Sequence, residues 1–243
     1  MFSGFYTVAS GMMMNQRKLN LISNNMANQS TPGYQAKHLA ATTFEDELIR
    51  LQNGKKTQIG GGTPISIVSE EAIDFTAGSY RETSRPYDVA IKGAGYFTIQ
   101  GEQGQYLTRN GNFNLDGEGY LVLPGIGRVI GEQGPIQVGS GTFSVGEIGG
   151  VYDVNGDLID RLRIVEPADY GTLTQNPDGT YTAAQVNQVY PETQQGMLEE
   201  SNVNLQKEMT SAMEVQRAFQ SCGKALSIID QMNQKTASEI GKL

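Results

Sequence analysis

The chain has 243 residues, room for one or two domains with a buried core. Its apolar fraction is 38%, its charged fraction 18% and its net charge −8, a balance that argues against a general nucleic-acid binder. Thirty glycines point to many turns, and a single cysteine, Cys222, excludes an intrachain disulfide.

The charge is unevenly placed. Residues 1–36 carry Arg17 and Lys18 and no acid. Residues 199–243 carry five bases and six acids, so 37–198 carry −9. A nearly uncharged, apolar-striped first segment is suited to lying inside something. No apolar run reaches the roughly 18 residues a membrane helix needs, so no membrane insertion is expected. The first residues lack a basic n-region ahead of their apolar part, so any export is expected without a cleaved signal peptide.

Residues 4–28 read as a helix. Phe5, Val8, Met12, Leu19, Ile22 and Met26 follow an a/d heptad pattern, with polar Asn15 at the skipped position. Five of the nine methionines lie in the first 26 residues, and methionine packs adaptably against varied neighbours. Thr31-Pro32-Gly33 then stops the helix. Residues 35–63 read as a connector, with a short helical piece at Thr43–Gln52 and a Gly60-Gly61-Gly62 run. From 64 to 198 the texture is β. Asn110-Gly111, Asp116-Gly117, Asn155-Gly156 and Asp178-Gly179 supply hairpin signals, as does Asn53-Gly54 in the connector. Strands are predicted at Tyr96–Ile99, Tyr120–Leu123 and Leu158–Val165.

Residues 204–241 read as a second, longer helix, with Asn202 or Asn204 as its cap. Ala212, Val215, Phe219, Cys222, Leu226 and Ile229 hold an unbroken 3-4-3-4-3 spacing. At 1.5 Å per residue the helices would be about 38 and about 57 Å long. The fold class is therefore α+β: N- and C-terminal helices flanking a central mostly-β domain. The expected parts are 1–34, 35–63, 64–198 and 199–243. A stripe at each end suits pairing of the ends with each other or with other copies. The simpler reading packs each stripe on the β domain.

Catalytic chemistry finds little support. His38 is a lone histidine with no partner motif. Gly93-Ala94-Gly95 is a fragment of a dinucleotide fingerprint, with Thr98 where the third glycine belongs. Asp153 to Asp157 misplaces the glycine of a calcium loop and reads as a hairpin turn. One cysteine and one histidine give no zinc spacing. No catalytic, cofactor-binding or metal site is expected, and no enzyme.

The strongest local signal runs from Ser23 to Tyr34. Asn24, Asn25, Asn28 and Gln29 crowd a helix end, followed by Thr31-Pro32-Gly33-Tyr34. Asn24-Asn25 lie inside the periodic segment, where asparagine is a poor helix former, and a buried amide at a helix interface can fix register between chains. This stretch, including Ala27, resembles the N-terminal signature of flagellar rod and hook proteins. Phe75–Tyr80, Tyr87–Ile91, Gly95–Phe97 and Tyr106–Phe113 resemble that family's central block. Gly196–Asn204, with Ser201, Asn202 and Val203, and then Glu208-Met209 and Gln216–Phe219, resemble its C-terminal block.

The resemblance implies a structural axial subunit of the flagellar basal-body rod, polymerising through its terminal helices into the rod that transmits torque to the hook. It implies that those helices pair as a coiled coil, with Phe5 through Met26 and Ala212 through Ile229 of the two stripes as the subunit interface. It also implies partners: copies of the chain, neighbouring rod and hook proteins, and the flagellar type III export apparatus. The chain resembles the longer rod proteins, with the proximal rod type favoured over the distal. The alternative is a secreted wall- or carbohydrate-binding β module with helical oligomerisation arms.

Overall fold

The computed structural model describes residues 2–43, 66–102, 104–139, 143–176 and 178–240. The chain divides into two compact units. A helical unit holds 1–27, 36–74 and 203–243, and a β unit holds 28–35 and 75–202.

The helical unit contains α1 (Phe2–Ala27), β1 (Lys37–Thr43), β2 (Ser66–Ile73) and α2 (Leu205–Ile240). Both helices agree with the heptad reading to within two residues. Asn204 caps α2, its Oδ1 accepting from Lys207 N–H at 3.1 Å. β1 and β2 pair antiparallel from Lys37↔Ile73 to Thr43↔Ser66, with a bulge between Ala40 and Ala41. This ribbon packs on α1. The structure thus groups the ribbon with the helices, where the sequence suggested a connector over 35–63 and a β domain from 64. Thr43 ends a strand. The rest of the expected helical piece, Asn53-Gly54 and the glycine run lie outside the described residues.

The β unit begins with β3 (Tyr80–Glu82), β4 (Val89–Lys92), β5 (Tyr96–Gly101) and β6 (Gly104–Thr108). Next come β7 (Asn114–Leu115), β8 (Leu121–Leu123), β9 (Gly127–Val129), β10 (Ser144–Val145), β11 (Gly150–Tyr152) and β12 (Leu158–Arg161). It ends with β13 (Ile164–Pro167), β14 (Thr174–Gln175), β15 (Tyr181–Thr182), β16 (Val186–Gln188), β17 (Glu192–Gln195) and β18 (Met197–Glu199). The main sheet runs β14-β15-β6-β5-β9-β8-β7, with β13 joining β5 to β16. β10, β11 and β12 form a second sheet. The ends of the unit zip together, β4 with β17 and β3 with β18.

Three of the turn dipeptides close hairpins: β7–β8, β11–β12 and β14–β15. Positive φ falls on Gly119, Gly156 and Gly179 in those turns. Asn110-Gly111 instead leads from β6 to the non-adjacent β7, and the Gly111 carbonyl accepts from Val89 N–H at 3.1 Å. The expected strand Leu158–Val165 is two strands, β12 and β13, in different sheets. Val89, Ile91, Phe97, Ile99, Phe113 and Leu121 anchor one continuous core. Four consecutive residues of β5, Tyr96–Ile99, are buried, so both of its faces are covered.

Candidate assembly interface

The two stripes meet within one chain. α1 and α2 pack antiparallel, since Asn25 near the end of α1 reaches Glu208 near the start of α2 at 3.4 Å. Further along, Asn15 Nδ2 donates to Cys222 Sγ at 3.9 Å, and a Cβ built on Gly11 would lie 3.9 Å from the same sulfur. From Asn25 back to Gly11 and from Glu208 on to Cys222 the separation is fourteen residues on each helix, two heptads. Asn15, the polar residue in the first stripe, therefore faces Cys222 in the second.

Coverage of the stripes is partial. Val8, Met12, Leu19, Ile22 and Met26 are half-buried, as are Ala212, Val215, Phe219, Cys222, Leu226 and Ile229. Phe5 is 42% exposed and lies edge-on to the exposed Tyr6 ring. More apolar residues project from other faces of the helices, among them Met13, Met209, Met213, Ile228 and Met232. Among the described residues, the only fully buried side chains on either helix are polar: Asn25 at 1% and Glu208 at 6% exposure.

Asn25 explains part of the amide-rich signature. Its Nδ2 donates to the Lys37 carbonyl at 2.9 Å, and its Oδ1 accepts from Lys37 N–H at 3.0 Å. One side chain thus occupies both backbone groups at the start of β1 and reaches α2 as well. These partners lie inside the chain. Asn24 and Ala27 are exposed on α1.

The signature turn belongs to the β unit. Thr31 N–H donates to the Asn28 carbonyl at 3.1 Å and its hydroxyl to Asn28 Oδ1 at 3.2 Å. Gly33 N–H donates to the Glu199 carbonyl at 2.8 Å, and Asn202 N–H to that of buried Tyr34 at 3.3 Å. Asn202 Nδ2 donates to the Thr76 carbonyl at 2.9 Å. Ser201 and Val203 beside it are half-buried. The first and last segments of the unit are therefore clasped to each other.

Beneath the clasp lies a buried ion pair. Arg109 Nη1 lies 3.4 Å from Glu199 Oε2, with side chains only 6% and 3% exposed. Arg109 also donates to the Gly93 carbonyl at 2.7 Å and sits 5.3 Å from the centre of the Tyr96 ring. Tyr96 donates its hydroxyl to Gln35 Oε1 at 3.1 Å. Burial pushes the Glu199 carboxyl above its ordinary range, against the pull of Arg109 and of the Gly78 N–H.

Gly33 has φ +67°, and a Cβ there would come within 2.4 Å of the Arg109 backbone. Gly33→Ala is expected to destabilise the β unit by about 3 kcal/mol, from left-handed strain plus overlap. Gly156→Ala, at φ +86° but facing open space, is expected to lose only about 1 kcal/mol. Urea denaturation of the two variants checks this, and equal losses would count against the clasp.

The residues weighed for chemistry belong to different elements. His38 is exposed on β1. Gly93 and Gly95, at φ +110° and +124°, shape the β4–β5 connection. Asp153 turns its carboxylate into its own hairpin, accepting from Val154 N–H at 2.6 Å and Asn155 Nδ2 at 2.9 Å. Among the described residues no cluster of three metal-ligating side chains occurs, and no helix is long and apolar enough to cross a membrane.

Family models of flagellar rod and hook proteins match three stretches of the chain. The model described as Flagella basal body rod protein matches residues 5–35. Flagellar hook protein FlgE/F/G D1 domain matches 90–183, and Flagellar basal body rod FlgEFG protein C-terminal matches 194–239. The flagellar basal-body rod protein FlgF of Rhizobium meliloti is 33% identical over 90% of each chain. FlgG of Bacillus subtilis is 31% identical, covering 97% of this chain and 98% of its own. FlgF of Caulobacter vibrioides is 29% identical over the whole of both. The chain belongs to the flagellar basal-body rod protein family, and its role is that of a structural rod subunit. Matches to FlgF, at 29–33% identity, and to FlgG, at 29–31%, overlap.

Proposed function

We propose that the chain is a non-enzymatic axial subunit whose terminal helices pair as a coiled coil and polymerise with copies of itself and with other rod and hook proteins. The observation that carries this reading is the half-burial of both stripes. Two helices and a two-stranded ribbon leave every described apolar residue of the helices partly open, and an apolar surface of that extent is stabilised when neighbours cover it. The two contact points, two heptads apart on each helix, support the coiled-coil geometry.

The half-buried stripe residues and Phe5 form the subunit interface in this reading. Asn25 ties α1 to β1 within the helical unit, and the turn around Gly33 clasps the ends of the β unit. Export runs through the flagellar type III apparatus without cleavage of a signal peptide. The chain works outside the cytoplasmic membrane in the basal body and needs no cofactor or metal. One central β unit suits the rod better than the hook, and within the rod we favour the proximal position. The β unit is the self-standing domain and the helical unit the assembling one.

Hydrogen exchange tests the reading. Amides of α1 and α2 are expected to exchange fast in the dilute monomer and slowly in assembled material, while the core of the β unit stays protected in both. Helices fully protected in a verified monomer would overturn it. Labelled basal bodies provide the second check, because a chain absent from their rods is not a rod subunit.

A further inference from the structure

The helical unit contains a groove of about 400 Å³ beside α1, α2 and β1. It is too large for a packing defect and falls within the size range of binding sites, roughly 300–1,000 Å³. Leu21, Ile22, Leu39 and Val215 line it with apolar surface, and Lys18, Lys37 and Lys207 add ammonium groups. Two carboxylates line it as well: Glu208, which is buried and accepts from Asn25 Nδ2, and Glu214. Lys37 leans 3.6 Å from Glu71, whereas no ion pair engages Lys18 or Lys207 among the described residues. The lining holds three ammonium groups against two carboxylates, and the two lysines that no described ion pair engages, Lys18 and Lys207, are the groups an acidic partner would meet.

The β unit carries the opposite sign, with seven bases against sixteen acids in 28–35 and 75–202. Its β11–β12 turn presents an apolar, acidic tip. Val154, at 67%, has the highest exposure of any large hydrophobic residue described, and Leu158 is 55% exposed. Asp153 and Asp157 flank Val154 in the turn. The turn is held rigidly, because Asp153 N–H donates to the Asp157 carbonyl at 2.9 Å and Gly156 N–H to the Asp153 carbonyl at 2.9 Å. A rigid turn with exposed Val and Leu side chains has no evident use within its own sheet.

We propose that this hairpin tip of one copy docks into the groove of a second copy. Val154 and Leu158 cover the apolar lining, and Asp157 lies against Lys18 and Lys207. The proposal rests on the reading of the chain as a self-associating rod subunit and names the occupant of the part of its interface around Ile22 and Val215. The contact is heterologous, with hairpin on one copy and groove on the next, so it repeats along an open assembly without closing a dimer.

The test uses the purified full-length chain, concentrated until it associates, with a photoreactive residue in place of Val154. Covalent dimers are expected, with the adduct mapping to residues 18–22, 37–39 or 207–215. Lys18→Glu with Lys207→Glu is expected to lower the dimer yield roughly fivefold, as two exposed ion pairs would. Adding Asp157→Lys to the probe-bearing copy should restore it. Adducts elsewhere, or a swap that restores nothing, would overturn the proposal. A parallel probe at Phe5, which the rod reading places in the interface between copies, separates the two failures. Dimers from 5 without dimers from 154 sink the groove and leave the rod reading standing. Dimers from neither sink both.

Discussion

Replacing Arg109 by methionine is expected to destabilise the β unit by about 3–5 kcal/mol at neutral pH, because it strands Glu199 as a buried charge without its cation. The pH dependence has a definite sign. Burial already raises the Glu199 carboxyl, and losing Arg109 removes the main influence holding it down. A carboxyl raised in the folded state contributes stability below its unfolded value, and that contribution is lost as pH rises through the folded value. The variant's deficit is therefore smallest in acid, where Glu199 is protonated, and grows toward neutrality. Arg109→Met with Glu199→Leu is expected to recover most of the loss, since a buried pair replaced by apolar groups is often neutral. Urea denaturation followed by tyrosine fluorescence at several pH values measures all three chains. A deficit under about 1 kcal/mol at neutral pH would mean that the pair is not what holds the clasp.

What the sequence made legible follows from the range of each interaction. The helices are local: heptad spacing marked both, and Asn202 or Asn204 marked the start of the second, with Asn204 the one that caps it. Hairpins at Asp116, Asn155 and Asp178 were legible because a short glycine-bearing turn carries its own chemistry. Each closes over a longer loop than the dipeptide suggests, Asp116 N–H donating to the Tyr120 carbonyl, Asp153 to Asp157 and Asn176 to Thr180. Asn110-Gly111 carries the same dipeptide but serves a crossover, where a close approach to Val89 matters more than hairpin closure. The β1–β2 ribbon was missed because Lys37 to Thr43 shows no strong alternation. Packing on α1 and a distant partner strand decide its conformation. Arg109 and Glu199 stand 90 residues apart, and nothing near either one names the other. Asn25 falls between these cases. Its oddity inside a periodic helix was visible, but its partners, the Lys37 backbone and Glu208, exist only once the chain has folded back.

The helical unit yields the other large effect. Leu226→Asp is expected to raise the concentration needed for assembly roughly a hundredfold, about 3 kcal/mol, because a carboxylate enters a surface that neighbours are to cover. The β unit should unfold as before, since Leu226 belongs to the other compact unit. Leu226→Met, which keeps volume and polarity, should assemble normally. The aspartate could act by opening the helix pair inside each chain or by repelling the next copy. Gly11→Cys resolves this, because a Cβ there lies 3.9 Å from Cys222 Sγ, close enough for a disulfide after a small adjustment. Oxidation of that variant in dilute solution should give a monomer with the pair covalently closed, read by mass and by gel mobility. If Leu226→Asp still blocks assembly in the closed chain, Leu226 contacts a neighbouring copy. If closure restores assembly, the residue acts within its own helix pair, and the surface between copies must be sought on the exposed faces carrying Met13, Met213 and Met232.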